Sequence, residues 1–213
     1  MSLISMATFC TETNNRAPLL KQTLDSLLKT VDFQKHRIFI IVNSAVPESV
    51  DAIFNFGGYV GKALEVIYPT ENIGTARAVN KGWKHRVEGE MCIKMDDDVV
   101  IHRAGWVDEM EEALIRDPKI GIIGLKRKDL WECPWYPDPA WRSVLRMLPH
   151  EAGQTWIITE DVHHVMGTCQ AYSPALLEKI GYLYQPFQYG FDDSLAAIRC
   201  KVAGLRSCFL HGY

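Results

Sequence analysis

No apolar run in this 213-residue sequence approaches the ~18 residues needed to cross a bilayer. Its start, MSLISMATFCTETNN, lacks the basic flank and long apolar stretch of a secretory signal. The expectation is a cytoplasmic protein with no transmembrane segment. There is no run of lysine or arginine, and 23 basic residues against 26 acidic ones give a formal net charge of -3. Neither an overall nor a local basic field favours nucleic acid as a partner. The six cysteines, Cys10, Cys92, Cys133, Cys169, Cys200 and Cys208, form no CxxC pair and no framework-like spacing, so reduced and packed thiols are expected. Low-complexity tracts and internal repeats are absent, and the stretch TFCTETNNRAP contains no glycine with which to build a phosphate loop. What remains is 47% hydrophobic and 23% charged content, enough for a single globular domain with a substantial core.

The chain alternates strand and helix patterns. LISMATFC, residues 3–10, reads as a buried strand, TETNNRAP as a turn, and Leu20, Leu24, Leu27, Leu28 and Val31 recur at helical spacing. IFIIVN, ending at Asn43, reads as a second strand, with Pro47-Glu48 suited to the first turn of a helix. LEVIY is a third strand. Ala76, Val79, Trp83 and Val87 mark one face of a helix that Gly89 closes before the strand MCIKM. AGWVDEMEEALIRD and IGIIG supply a further helix and strand, so the first ~125 residues follow the order expected of a mostly parallel, doubly wound α/β sheet. After Gly124, KRKDLWECPWYPDPAW reads as a long functional loop.

The strand MCIKM runs into Asp96, Asp97 and Asp98. Three adjacent carboxylates repel one another unless a cation or a set of donors receives them. Ligands of such sheets sit beyond the carboxyl ends of the strands, where TETNN, Asn43-Ser44, ENIGTAR and the triad would line one crevice. Candidates to contact a ligand there are Thr8, Thr11 and Glu12, then Asn43, then Asn72, Gly74 and Arg77. Gly74 allows close backbone approach, and Arg77 suits phosphate or carboxylate. In an extended DxD, Asp96 and Asp98 face the same way and Asp97 points elsewhere. A solvated acidic turn capping the next helix is the plainer alternative. Hard oxygen ligands of this kind suit Mg2+ or Mn2+.

The ordered set of Asn72-x-Gly74, Arg77, Asn80, the triad, MGTCQAYSPALLEKIGYL (166–183) and GFDDSLAAIRCKVAGL (190–205) resembles the GT-A glycosyltransferases, and more narrowly their inverting family two. This resemblance implies a three-layer GT-A fold with a mostly parallel central sheet and one domain over 1–213. Residues 1–125 would be the nucleotide-sugar-binding half and 126–213 the acceptor-side half. It further implies a metal-dependent, inverting transfer of a sugar, of the hexosyltransferase type, from a nucleoside-diphosphate sugar to a carbohydrate or other hydroxyl acceptor. Asp96 would approach ribose or metal, Asp98 would ligate the metal directly, and the late histidine His211 would be a further ligand.

The acidic pair Asp192-Asp193 precedes Leu195, Ile198 and Val202, spaced as an amphipathic helix. Capping of that helix is one reading. By the resemblance, Asp193 is the general base and Asp192 the other candidate; the family usually has Glu first, and this chain has Asp. His163 and His164 are adjacent, point to opposite faces if they lie in a strand, and are expected to be structural. Trp131, Trp135, Tyr136 and Trp141 offer an acceptor platform or simply core aromatics. Two other functions stay open: a sugar-nucleotide nucleotidyltransferase, disfavoured by the missing Gly-rich loop, and a non-catalytic nucleotide-sugar-binding protein.

Overall fold

In the computed structural model, which describes residues 1–126, 144–150, 156–187 and 190–211, the apolar runs become the strands of one sheet. Strand β1 (Ser2–Phe9) leads to α1 (Ala17–Thr30), β2 (Arg37–Ser44) to α2 (Pro47–Val60), and β3 (Leu64–Ile67) to α3 (Thr75–Trp83). Strand β4 (Met91–Met95) follows, then α4 (Trp106–Arg116) and β5 (Ile120–Leu125). The later elements are β6 (Val144–Pro149), β7 (Trp156–Val162), β8 (Cys169–Tyr172), α5 (Pro174–Ile180), α6 (Asp192–Val202) and β9 (Arg206–Leu210).

The nine strands stand in the order β3-β2-β1-β4-β8-β5-β9-β7-β6. Seven run one way, and only β7 and β8 oppose them. The direction is thus mostly shared, although β8 separates β4 from β5 and makes both contacts antiparallel. Every residue of β4 is buried, as expected of a strand covered on both faces.

Alternate strand residues feed two cores. Ile4, Met6, Ile38, Ile40, Ile93 and Met95 pack against Leu20, Leu24 and Leu27 of α1, Ile53 and Phe56 of α2, and Trp106 and Met110 of α4. Leu3, Phe39, Ile41, Cys92 and Tyr172 face Val79 and Trp83 of α3, Leu176 of α5, and Cys200 of α6. Helices on both faces of a predominantly one-way sheet make the three-layer α/β arrangement anticipated from the sequence. Gly82 permits the close approach of α3, because a Cβ there would stand 2.4 Å from Ser5 Oγ and 2.9 Å from Phe39 Cβ.

Two local expectations are corrected. Helix α3 ends at Trp83, four residues short of Val87, which is exposed. In α6 the buried face is Asp192, Ala196, Ala197 and Cys200, whereas Ile198 and Val202 are exposed. Gly121 of β5 makes room for Cys200 of this helix, since a Cβ there would stand 2.5 Å from the Cys200 Sγ. Among the described residues no helix is long and apolar enough to cross a membrane.

Candidate functional site

The shared strand direction brings the ends of β1, β2, β3, β4, β5 and β9 to one edge. There a cleft of about 300 Å³ is lined by Ala7, Phe9, Asn14, Arg16, Thr75, Asp96, Asp97 and Asp98. It joins the loop after β1, the start of α3 and the aspartate triad; of the crevice expected at the strand ends, Asn43-Ser44 after β2 does not line it.

Each aspartate of the triad is received differently. β4 ends at Met95, so the three aspartates occupy a turn rather than an extended strand; Asp97 and Asp98 share Arg16, and Asp96 turns to Lys94 instead of facing the same way as Asp98. Asp97 is 2% exposed and turns inward. It accepts from the Phe9 N–H at 2.9 Å and from Arg16 Nη2 at 2.9 Å, while its carbonyl accepts from Thr23 Oγ1. Burial raises its pKa against the pull of those donors. Asp98 lies at the surface, 2.6 Å from the same Arg16 Nη2. Asp96 pairs at 3.1 Å with Lys94 Nζ, two residues earlier on the same face of β4. Burial pushes the Asp96 carboxyl up to about 6 against the attraction of Lys94, although 38% of the side chain still reaches the cleft.

Lys94 is the residue that sequence reasoning missed. It is only 3% exposed, yet its ammonium donates to the Gly167 carbonyl at 2.6 Å and lies 3.3 Å from Asp192 Oδ2 as well as beside Asp96. Burial disfavours its charge, but Asp96 and Asp192 more than compensate and hold its pKa above the ordinary lysine value. One buried cation therefore joins the triad to the acidic pair.

The pair itself opens α6, entered through Gly190 (φ 84°) and Phe191 (φ 65°). A left-handed phenylalanine is strained, and such strain persists only where neighbours enforce it. Asp192 is buried against Lys94. Asp193 Oδ2 accepts from the Gly167 N–H at 3.0 Å and Oδ1 from the Ser194 N–H at 2.7 Å. His164 Nε2 stands 3.1 Å from Asp193 Oδ2, a contact that is an ion pair only when the imidazole is protonated. Burial raises the Asp193 pKa, but His164 and the two N–H donors outweigh it and hold it at about 2. The expectation for His164 assumed a strand; β7 ends at Val162, and past it the ring is free to turn to α6.

The other candidates fall around this centre. Thr8 is fully buried and its hydroxyl donates to the Ser44 carbonyl at 3.4 Å. Thr11 and Glu12 are exposed and do not line the cleft. Asn43 Nδ2 donates to Asn72 Oδ1 at 2.7 Å, and the Ile73 and Gly74 N–H groups donate to Asn43 Oδ1 and Asn72 Oδ1. These amides shape the loop into α3 and hold Gly74 at φ 79°. Arg77 is exposed on α3. Gln185 Oε1 accepts from the Ala76 N–H, and Asn80 makes paired bonds with Leu183, so the approach to the acidic pair is fastened to α3.

His211 follows β9, its N–H bonded to the Ile158 carbonyl. Lys94, Gln170, Gly124 and Phe209 form one row across the sheet, which sets His211 level with Asp96 but three strands away. At ~4.8 Å per strand, the two backbones are about 14 Å apart. Among the described residues no three His, Cys, Asp or Glu side chains converge as a complete metal-holding group. The aromatic residues Trp131, Trp135, Tyr136 and Trp141 lie outside the described residues. The five described cysteines are buried and unbridged.

Comparison with solved structures finds the same fold in glycosyltransferases. The mannosyltransferase PcManGT from Pyrobaculum calidifontis, solved with GDP-Man and Mn2+, superposes with a TM-score of 0.68 at 20% identity, covering 100% of this chain and 58% of that one. TarS 1-349 of S. aureus gives 0.68 at 15% identity, covering 100% and 59%. GalNAc-T7, with UDP, GalNAc and Mn2+, gives 0.67 at 12% identity, covering 99% and 42%. The chain therefore spans under two thirds of the length of each. Comparison with curated protein sequences returns no match. Residues 8–181 match the family described as glycosyl transferase family 2, from the end of β1 through the triad to the close of α5. With most of its length matched and its carboxylates at the expected sheet edge, this chain belongs to glycosyl transferase family 2.

Proposed function

We propose that this chain is the donor-binding and reacting domain of an inverting glycosyltransferase that uses a nucleoside-diphosphate sugar. A single observation carries the reading: Lys94 links Asp96, at the nucleotide-binding edge, to Asp192, at the start of α6. Two carboxylate centres with separate tasks thereby share one site. The structural neighbours solved with GDP-Man, or with UDP and GalNAc, support a nucleoside diphosphate in the cleft.

Asp96 and Asp98 suit a divalent cation, Mn2+ or Mg2+, because both are hard oxygen donors that reach the cleft. One or two protein carboxylates with substrate phosphates commonly suffice for such an ion, so a complete protein cage is not required. When bound, the ion would offset the charge developing on the departing diphosphate. His211, three strands away on the same edge, is the proposed additional ligand, and ligation requires the end of β9 to approach the cation, because about 14 Å of backbone separation exceeds what the two side chains span through one ion.

On the acceptor side, a hydroxyl attacks the anomeric carbon, the nucleoside diphosphate leaves from the opposite face, and a carboxylate takes the hydroxyl proton. Asp193 is the proposed base, since it is ionised at neutral pH and sits at a helix N-terminus. Asp192 is the other candidate. Thr8, Thr11, Glu12, Asn43, Asn72, Gly74 and Arg77 are proposed to frame the nucleotide, with Thr8, Asn43 and Asn72 acting through the loops they hold. We further propose that residues 1–213 form one domain.

Thermal shift with UDP-, GDP-, CMP- and dTDP-sugars in the presence of Mn2+ tests the reading, because a bound donor stabilises the fold by mass action. At least one donor should raise Tm, and Asp98→Asn should abolish the metal-dependent part. No response to any donor would overturn it.

A further inference from the structure

Arg16 lies between the aspartates that the proposed cation would use. Its Nη2 contacts both Asp97 and Asp98, at 2.9 and 2.6 Å. The two contacts are unequal. Asp97 is buried and locked by the Phe9 N–H and by Thr23, so its grip on Arg16 is fixed. Asp98 is 38% exposed on its side chain, and among the described contacts Arg16 is its only cation. The guanidinium spends one nitrogen on both carboxylates, leaves its buried Nε without a partner, and lines the cleft. An arginine with donors in reserve is matched to the paired oxygens of a phosphate.

We infer that Arg16 is a partner-exchanging phosphate ligand: it neutralises Asp98 in the empty site, releases it when a cation enters, and turns its unused N–H donors to the donor's diphosphate while Asp97 keeps hold. The inference rests on the proposed nucleotide-sugar reading of the same cleft. The exchange makes no covalent bond. It transfers one ion pair from protein to ligand, and it makes cation binding and diphosphate binding assist each other.

The test uses opposite signs. Mn2+ alone is titrated by electron paramagnetic resonance, and uridine, guanosine and thymidine diphosphates are titrated calorimetrically in saturating Mn2+. In Arg16→Gln, Asp98 loses its internal competitor, so Mn2+ alone should bind several-fold more tightly. Diphosphate should bind roughly 10- to 100-fold more weakly, the usual effect of losing a charged hydrogen bond. Because Arg16→Gln also leaves buried Asp97 without a cation and can fail to fold, Arg16→Lys provides the second arm. It keeps a charge beside Asp97, should retain the parent Tm, and should still lose diphosphate affinity because the fork is gone. Loss of both affinities in parallel, or unchanged diphosphate affinity in either folded variant, overturns the inference alone. A parent chain that binds no diphosphate with Mn2+ overturns the nucleotide-sugar reading, and this inference with it.

Discussion

Lys94 and Asp192, from β4 and α6, meet 3.3 Å apart inside the protein, and the ammonium that joins them is almost wholly removed from solvent. A buried ion pair is weak evidence for net stability, but breaking one from a single side is costly because the remaining charge is stranded. Here two carboxylates, Asp96 and Asp192, depend on one cation.

Replacing Lys94 by Met should therefore destabilise the fold by about 3–5 kcal/mol near neutral pH. Adding Asp192→Asn should recover part of the loss, since it removes one stranded charge. Urea denaturation of the parent, both single variants and the double variant gives the coupling. Strict additivity would show that the contact carries no energy.

Asp96 should make stability fall with rising pH. Its folded pKa, about 6, lies above that of the unfolded chain, so the folded state holds the proton more tightly and loses that advantage as pH rises from about 4 through 6. Asp96→Asn should then raise Tm at pH 7–8 and leave it nearly unchanged at pH 4. A cation also needs the carboxylate ionised, so Mn2+ affinity in the parent should decline below pH 6. A pH-independent effect of Asp96→Asn on Tm would contradict this.

Asp193 should act in the opposite sense. Its folded pKa, about 2, lies below the unfolded value, so its contribution is complete above about pH 4 and disappears as pH falls towards 2. The size is on the order of 2 kcal/mol. Asp193→Asn should lose this amount at pH 7 and converge with the parent near pH 2, as measured by chemical denaturation. If it is also the base, transfer should drop ~10²–10⁴-fold with donor affinity retained. Asp192→Asn at parent rate would strengthen that assignment.

Gln185 joins the first turn of α3 to the Gly190 carbonyl. Gln185→Ala removes an acceptor from a helix N-terminus and a donor from the turn before the acidic pair, costing about 1–2 kcal/mol. Hydrogen exchange should quicken at the Ala76 amide and around residues 183–187 while the β4 amides stay protected. Equal exchange in parent and variant would exclude this clamp.

Much of the framework was legible because its cause is local. Runs such as IFIIVN carry their strand character in their own composition, and the triad announces itself by charge. Other features arise only from distant contacts. A lysine inside MCIKM gives no sign of burial until Asp192 arrives from the far end of the chain. The outward Ile198 and Val202 follow from the burial of Asp192, Ala196, Ala197 and Cys200 instead, which apolar periodicity alone cannot report. The contact of His164 with Asp193 has no local signal either, because it depends on β7 stopping at Val162 and on α6 arriving from later in the chain. The insertion of β8 between β4 and β5 likewise has no local signal.

Strand β9 fills the gap between β5 and β7, and it follows both of them in the sequence. During synthesis on the ribosome, β5 and β7 would each expose an unpaired backbone edge until Arg206–Leu210 emerged. These pairings join residues about 85 and about 45–50 positions apart, and such long closures slow folding. Newly made chains should therefore be most prone to aggregate just before this five-residue strand is added, a vulnerability that the finished fold conceals.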